Sequence, residues 1–534
     1  MHPLNAMSKP SRVVLCVASL SAIAGCTSSS ATPADPGSAD GSTTSTLDGA
    51  GNPSPSNDAS TPTDSSAPAA LDGAGNPSPS NDGSTSPSPS DASGVDSASL
   101  DAGVALAMAS AQRDDPDSGP AQNALPGAVA ANNAFAVDLY SHLLSQAADA
   151  GPTNVLTSPI SASLALTMTY AGAVGPTATG MATALHLGAA ASSIFDGQNA
   201  LSAALASRAA TAFSQAQQMV EGTSQPVPSA SDYQLTVVNS VWGEQTYTWQ
   251  PPFLNVLAQS YGTGVYLEDF IHQYDQARQT INAWVSTETV DKINNLLPEG
   301  SLTSLTRMVL VNAIHLKLPW AQAFEVPATT TGTFTRADST TVSTSFMNET
   351  VSLPYIDDGR AQIVGLPLAG GQLAVVIALP HADQDLATYE AGLAAGSAAL
   401  ALPASPTFVQ LSLPRATFTS PTFSLALALQ AMGMGQAFDS TAADFTGMCA
   451  NPPDGLNLYI ADVLQKAMIA MQETGVEAAA ATAVIMAGRA AAGVPTTPTP
   501  MVVNRPYLLS IVDVPTGAIL FLGHIEDPTD AGGP

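Results

Sequence analysis

The residues able to do chemistry are few and scattered. Seven histidines stand at positions 2, 142, 186, 272, 315, 381 and 524, with no spacing that would gather them on one metal ion. Three cysteines, Cys16, Cys26 and Cys449, cannot build a disulfide framework in 534 residues. No Gly-x-Ser-x-Gly elbow, His-Glu-x-x-His pair, phosphate loop or Gly-x-Gly-x-x-Gly turn is present. A Ser/His/Asp triad is defined by geometry, and nothing in the spacing marks one. The feature that stands out is a run of small residues from Gly475 to Gly488 closed by Arg489, the only basic residue between Lys466 and Arg505.

The elements around this run come from length, charge and hydropathy. A chain of 534 residues allows two to four ordinary domains. Its net charge of −29 argues against a DNA, RNA or heparin partner held by a basic surface. Residues 1–25 read as an export signal, with Lys9 and Arg12 ahead of a short apolar stretch from Val13 to Ile23. Ile23-Ala24-Gly25-Cys26 resembles a bacterial lipobox, which implies lipidation of Cys26 and a membrane anchor. Cys16 would leave with the signal, so Cys449 has no partner thiol and is expected to be structural. Residues 26–121 then form a linker. Within it, 27–120 hold thirteen Asp, one Arg and no aromatic residue, and Leu47–Asp58 recurs whole at Leu71–Asp82. As a flexible coil it would reach roughly 50–60 Å.

From residue 122 to 534 the pattern becomes globular, and one mixed domain is expected. Apolar residues at helical spacing begin near Asn133 and again from Ser161 to Gly172, and Arg278 to Leu297 also reads as helix. Tyr233 to Trp242 alternates like a strand. Met308 to Leu316 is too apolar for a half-exposed strand, so it belongs in a sheet covered on both faces. Leu373–Leu379, Phe408–Leu413, Tyr507–Val512 and Ala518–Gly523 are further strands. Helices first and strands later imply an α+β class.

Glu473-Thr474-Gly475-Val476-Glu477-Ala478-Ala479-Ala480-Ala481-Thr482-Ala483-Val484-Ile485-Met486-Ala487-Gly488-Arg489-Ala490 resembles the hinge and reactive-centre loop of the serpins, a family of protease inhibitors. Its Ala-Gly-Arg end is similar to the loop of antithrombin. Five other segments resemble the same family in the same order: Asn133–Tyr140, Asn154–Ser161, Val311–Lys317 with Trp320, Asn504–Leu508, and Leu520–Gly523 followed by Asp527-Pro528. The resemblance implies a serpin fold: a large central sheet, smaller sheets, eight or nine helices and an exposed loop at about 473–503. It implies a protein that is not an enzyme and needs no cofactor or metal.

In this family the cut falls fourteen residues after the hinge glycine, which makes Arg489–Ala490 the expected reactive bond. Arg489 suits a trypsin-like serine protease, whose specificity pocket carries a carboxylate for a charge-assisted pair. After cleavage the hinge must enter the middle of the main sheet as a new strand. One alternate set, Val476, Ala478, Ala480, Thr482, Val484 and Met486, would face the core, and the other, Glu477, Ala479, Ala481, Ala483 and Ile485, the opposite side. No proline interrupts the run and its one charge is Glu477. On propensity alone the alanines would favour helix. The positions matching the region where the sheet parts are Ser158, Ser161, Asn312, Trp320 and Gln465, where the family usually has His at the last. Gln can still donate and accept, so the pin is altered rather than removed. The stretch from Ala490 to Val503 is long and proline-rich.

The expectation is a monomeric inhibitor that forms a covalent complex with a trypsin-like protease and binds neither nucleic acid nor heparin. Lipid-anchored at Cys26, it would stand at the cell envelope, with Thr27 pointing to the outer membrane or cell surface, or be released outside the cell. The alternatives are a non-inhibitory binding or chaperone-like serpin and an inhibitor of cysteine proteases.

Overall fold

A computed structural model describes residues 104–148, 153–188, 191–223, 227–477 and 497–529. In chain order the strands are β1 (Ala105–Ala107), β2 (Val155–Thr157), β3 (Gln234–Glu244), β4 (Val265–Glu268), β5 (Met308–Pro319), β6 (Thr330–Thr335), β7 (Thr341–Asp357), β8 (Ala361–Pro367) and β9 (Leu373–Pro380). They continue as β10 (Pro406–Pro414), β11 (Ala416–Thr419), β12 (Phe423–Ser424), β13 (Leu464–Gln465), β14 (Met468–Gln472), β15 (Gly475–Val476), β16 (Thr499–Val502), β17 (Tyr507–Asp513) and β18 (Ile519–Ile525). Among the described residues the α-helices are α1 (Gly119–Ala148), α2 (Pro159–Tyr170), α3 (Gly175–Ala184), α4 (Ala191–Val220), α5 (Pro251–Val256), α6 (Phe270–Glu288), α7 (Leu386–Glu390) and α8 (Ala426–Leu429).

The class is α+β. A seven-stranded sheet runs β1-β4-β3-β5-β15-β14-β11. A nine-stranded sheet runs β16-β10-β7-β8-β9-β17-β18-β2, with β6 beside β7, and β12-β13 pair separately. Among the described residues of the first sheet, β3 and β4 are the only parallel pair. The main core lies between the sheets. Leu235, Ile314, Leu316, Leu318, Phe418 and Met471 from the first meet Val375, Ile377, Leu411, Leu509 and Phe521 from the second.

The continuous apolar run of β5 follows from its place. Leu310, Ile314, Leu316 and Leu318 point into the cores, while Val309, Val311 and Ala313 pack beneath α6 against Ile281, Trp284 and Val285. Helix α6 covers that second face. Its N-cap Asp269 accepts the His272 N–H, and Val290, Asp291 and Asn295 beyond its end are all left-handed. The helix expected over Arg278 to Leu297 therefore stops at Glu288. The apolar periodicity continues past that point because Ile293, Leu296 and Leu297 still pack into the same cluster. Pro500 sits in β16 without breaking a ladder, since among the described residues β16 is an edge strand paired only with β10.

The boundary drawn at residue 122 leaves out part of the folded unit. Strand β1 pairs with β4, Arg113 Nε donates to Asn199 Oδ1 at 2.8 Å, and Asn199 Nδ2 returns a bond to Asp114 O at 2.9 Å. Helix α1 starts at Gly119 rather than near Asn133. Composition hid this, because the apolar stretch of the strap, Val104 to Met108, is short and runs directly into acidic, linker-like residues. The strap is held by the backbone pairing of β1, by Val104 and Ala107 packing against buried clusters, and by the Arg113 side chain. The expected signal, most of the linker and Cys26 lie outside the described residues. Among the described residues no helix is long and apolar enough to cross a membrane.

Candidate functional site

The hinge leaves the seven-stranded sheet at its centre. Strand β14 ends at Gln472, the chain turns at Glu473-Thr474, and Gly475–Val476 come back as β15 between β14 and β5. The register is Met471↔Val476 and Gln472↔Gly475 on one side, Gly475↔Pro319 and Val476↔Leu318 on the other. Gly475 is required by close approach: a Cβ there would lie 2.4 Å from Leu318 O and 2.6 Å from Pro319 Cα. Val476 is fully buried in the core between the sheets, on the side expected for its alternate set. Glu477 is also buried and turns to the α6 side, where it meets His315 of β5 and Lys292 of the segment after α6.

The root of the hinge is fixed by one carboxylate. Glu473 accepts Arg415 Nε at 2.7 and 2.8 Å and the Thr329 hydroxyl at 2.5 Å. Burial alone would raise its pKa, but the hydrogen bonds from Arg415 and Thr329 hold it below the usual carboxylate range. Trp320 closes the same end. Its indole Nε1–H donates to Gln472 O at 2.7 Å, and its backbone N–H donates to Thr474 O at 3.1 Å.

Further down, the seam between β5 and the strand leading into β14 is closed by a pin. Gln465 Oε1 accepts the Thr157 hydroxyl at 2.7 Å and Ser158 N–H at 3.0 Å. Its Nε2 donates to Ser158 O at 2.9 Å and to Asn312 Oδ1 at 3.1 Å. A primary amide offers both polarities, so Gln465 links the β2–α2 corner to β5 across the seam. Ser158 Oγ donates to Leu520 O at 2.9 Å, while Ser161 Oγ is a looser 3.5 Å from Ala313 O. Lys466 bridges to Ala313 beside the pin. The buried Asn312 Nδ2 has no partner among the described residues.

The five positions expected to control sheet opening therefore split in two. Ser158, Ser161, Asn312 and Gln465 converge in mid-sheet, whereas Trp320 belongs with Glu473 and Gly475 at the hinge end. Of the remaining expected residues, Ala478, Ala479, Ala480, Ala481, Arg489 and Ala490 lie outside the described residues. Sequence reading did not single out Arg415, His315 or Lys292. His315 leaves a trace, being the one ionisable side chain in the apolar middle of β5. Arg415 leaves none, since its pairing to Glu473 spans 58 residues of sequence.

Comparison with known proteins defines the class. The family model for serpins (serine protease inhibitors) matches residues 130–528. The chain is 33% identical over 411 residues to leukocyte elastase inhibitor of Bos taurus, covering 75% of this chain and 99% of that protein. It is 31% identical over 426 residues to plasminogen activator inhibitor 2 of Homo sapiens, covering 74% and 99%. Among solved structures, the native state of the thermophilic serpin tengpin superposes with a TM-score of 0.64 at 24% identity, covering 79% of this chain and 99% of that one. The chain belongs to the serpin family. Its relatives are named inhibitors of proteases, and it is not an enzyme.

Proposed function

We propose that this serpin is a suicide inhibitor of Arg-specific, trypsin-like serine endopeptidases. The observation that carries this reading is the hinge base: Gly475 and Val476 already stand as a strand in the middle of the sheet, between β5 and β14. The residues that follow are small or apolar with no proline as far as Arg489, so the strand can lengthen without burying an unpaired charge beyond Glu477. Arg489 stands fourteen residues after Gly475 as bait for a pocket lined by a carboxylate. The protease serine attacks the Arg489 carbonyl, the Arg489–Ala490 peptide bond breaks with the serine's proton passing to the Ala490 amine, and the resulting ester carries the enzyme with the loop. Insertion before deacylation leaves it trapped; deacylation first leaves only a cut serpin. Ile23-Ala24-Gly25-Cys26 and the acidic linker support anchoring through lipidated Cys26 at the outer face of a cell envelope.

The test is incubation with trypsin, followed by denaturing electrophoresis and mass spectrometry of the released peptide. An adduct stable in SDS, with the cut after Arg489 and loss of the adduct in Arg489→Ala, supports the reading. A chain that is merely cut refutes inhibition, and trapping of a papain-like protease in place of trypsin refutes the assigned class.

A further inference from the structure

The hinge strand stops abruptly. Val476 pairs with Leu318 in an extended ladder, and the next residue, Glu477, has φ +49°. That left-handed turn is strained for a residue with a side chain and needs something to hold it. What holds it is charge. Glu477 Oε2 bonds to Nε2 of the fully buried His315, and Lys292 Nζ forms an ion pair with Oε1 at 2.5 Å. The Glu477 N–H donates back to Ala470 O.

The segment that supplies Lys292 lies across the seam. Two residues on, Asn294 O accepts from Lys466 Nζ at 3.0 Å, and Lys466 bridges to Ala313 of β5. Residues 292–294 are thus fastened on one side to the hinge and on the other to the strand leading into β14. They sit over the line along which a lengthening strand must pass.

The register says where Glu477 would go. One further step of the β15–β5 ladder sets Glu477 opposite Lys317, on the same face as His315. Lys317 is now occupied elsewhere, donating to Ser231 O at 2.9 Å and Asp232 Oδ1 at 2.8 Å. Lys317 is the β5 residue at the next register position, so a Glu477 that entered the ladder would offer the lysine ammonium a second carboxylate.

We propose that Glu477, gripped by His315 and Lys292, is a catch that stops the hinge after two inserted residues in the uncut chain, and that insertion transfers its carboxylate to Lys317. His315 and Lys292 are positioning residues: they touch no protease but set how far the hinge has entered. The inference rests on the inhibitory reading for its purpose, although the catch itself can be tested without a protease.

The experiment follows uncut protein held at a fixed temperature below its melting point, measuring how fast it converts to an uncleaved, heat-resistant form with the loop inserted. Lys292→Met and Glu477→Gln should each accelerate conversion tenfold or more, and the double variant should be no faster than the faster single one. Lys292→Arg should keep the parent's rate. Melting of the nicked forms of the parent and Lys292→Met should coincide, which separates release of a catch from a general loss of stability. Lys292 is 41% exposed, so its variants test the idea even if Glu477→Gln does not fold. Unchanged or slower conversion in Lys292→Met, no conversion in any variant, or effects that add in the double variant overturn the proposal. Failure to trap trypsin would overturn the inhibitory reading and leave these rates as evidence on the catch alone.

Discussion

Cutting the chain after Arg489 should make it harder to melt, and the structure sets the scale. The β15–β5 register pairs Gly475 with Pro319 and Val476 with Leu318. Continued in step, it places Glu477 opposite Lys317 and Met486 opposite Met308, the first residue of β5. The inserted strand would therefore match the length of β5. About a dozen new ladder bonds at ~1 kcal/mol net each give on the order of 10 kcal/mol. Burial of alanine, valine, isoleucine and methionine side chains adds to that at ~25 cal/mol per Å². This is comparable with the whole stability of an ordinary domain, about 5–15 kcal/mol. A domain of this size has an unfolding entropy of roughly 0.9 kcal/mol/K, so the gain corresponds to a rise of at least about 10 °C. The same register sets Thr482, the only polar residue of its alternate set, opposite Asn312, whose buried Nδ2 lacks a partner among the described residues. Thr482→Val should then remove about 1–2 kcal/mol of the gain by leaving that amide unsatisfied. The assay is calorimetric melting of intact and nicked protein, for the parent and for Thr482→Val. Equal melting temperatures before and after nicking would refute the reasoning, because no strand would have been added. A full gain in Thr482→Val would refute the register.

Gly475→Ala puts a methyl group 2.4 Å from Leu318 O, so β15 must shift; a loss of roughly 1–3 kcal/mol in a denaturant melt is expected, and an unchanged midpoint would contradict the close approach. Gln465→Ala deletes four hydrogen bonds that close the seam, and should cost about 1–3 kcal/mol and speed conversion of the uncut protein, whereas a slower conversion would show that the pin does not restrain opening. His524 lies between Glu390 (2.7 Å) and Glu526 (2.9 Å), with Tyr140 OH donating to Glu390 at 2.6 Å; burial alone would lower its pKa, but the two carboxylates push it up to about 9. A raised folded-state pKa gives stability that is complete below about pH 6.5 and lost as pH rises through about 9, here up to ~3 kcal/mol. Urea midpoints measured from pH 6 to 10 should show this decline, and His524→Gln should flatten it; a midpoint rising over that range would exclude the charged pairing.

Legibility in the sequence followed the range of the interactions. The middle strand of the sheet was readable because β5 is covered on both faces and every position from Met308 to Leu316 is buried. The run after Gly475 stood out in the sequence because a strand entering such a place would admit only small or apolar residues. The end of α6 was not, because Ile293, Leu296 and Leu297 keep packing into the same cluster after the backbone has left the helix. The strap at β1 was hidden because its apolar stretch, Val104 to Met108, is short and sits between acidic, linker-like segments, while its partner β4 lies far along the chain. Gln465 was identified as a departure from the family's residue, and the structure shows its amide using both polarities in four bonds.

By itself the sequence determined the class of fold and the run of small residues that follows Gly475 and ends at Arg489, because each is carried by residue types and local spacing. Only the tertiary structure decided how deep the hinge stands in the sheet and what holds it there. Val476 faces Leu318, Glu473 meets Arg415, and Glu477 meets His315 and Lys292, and these partners stand 58 to 185 residues apart. Contacts of that kind are fixed by where strands cross in space, and linear pattern holds no record of them.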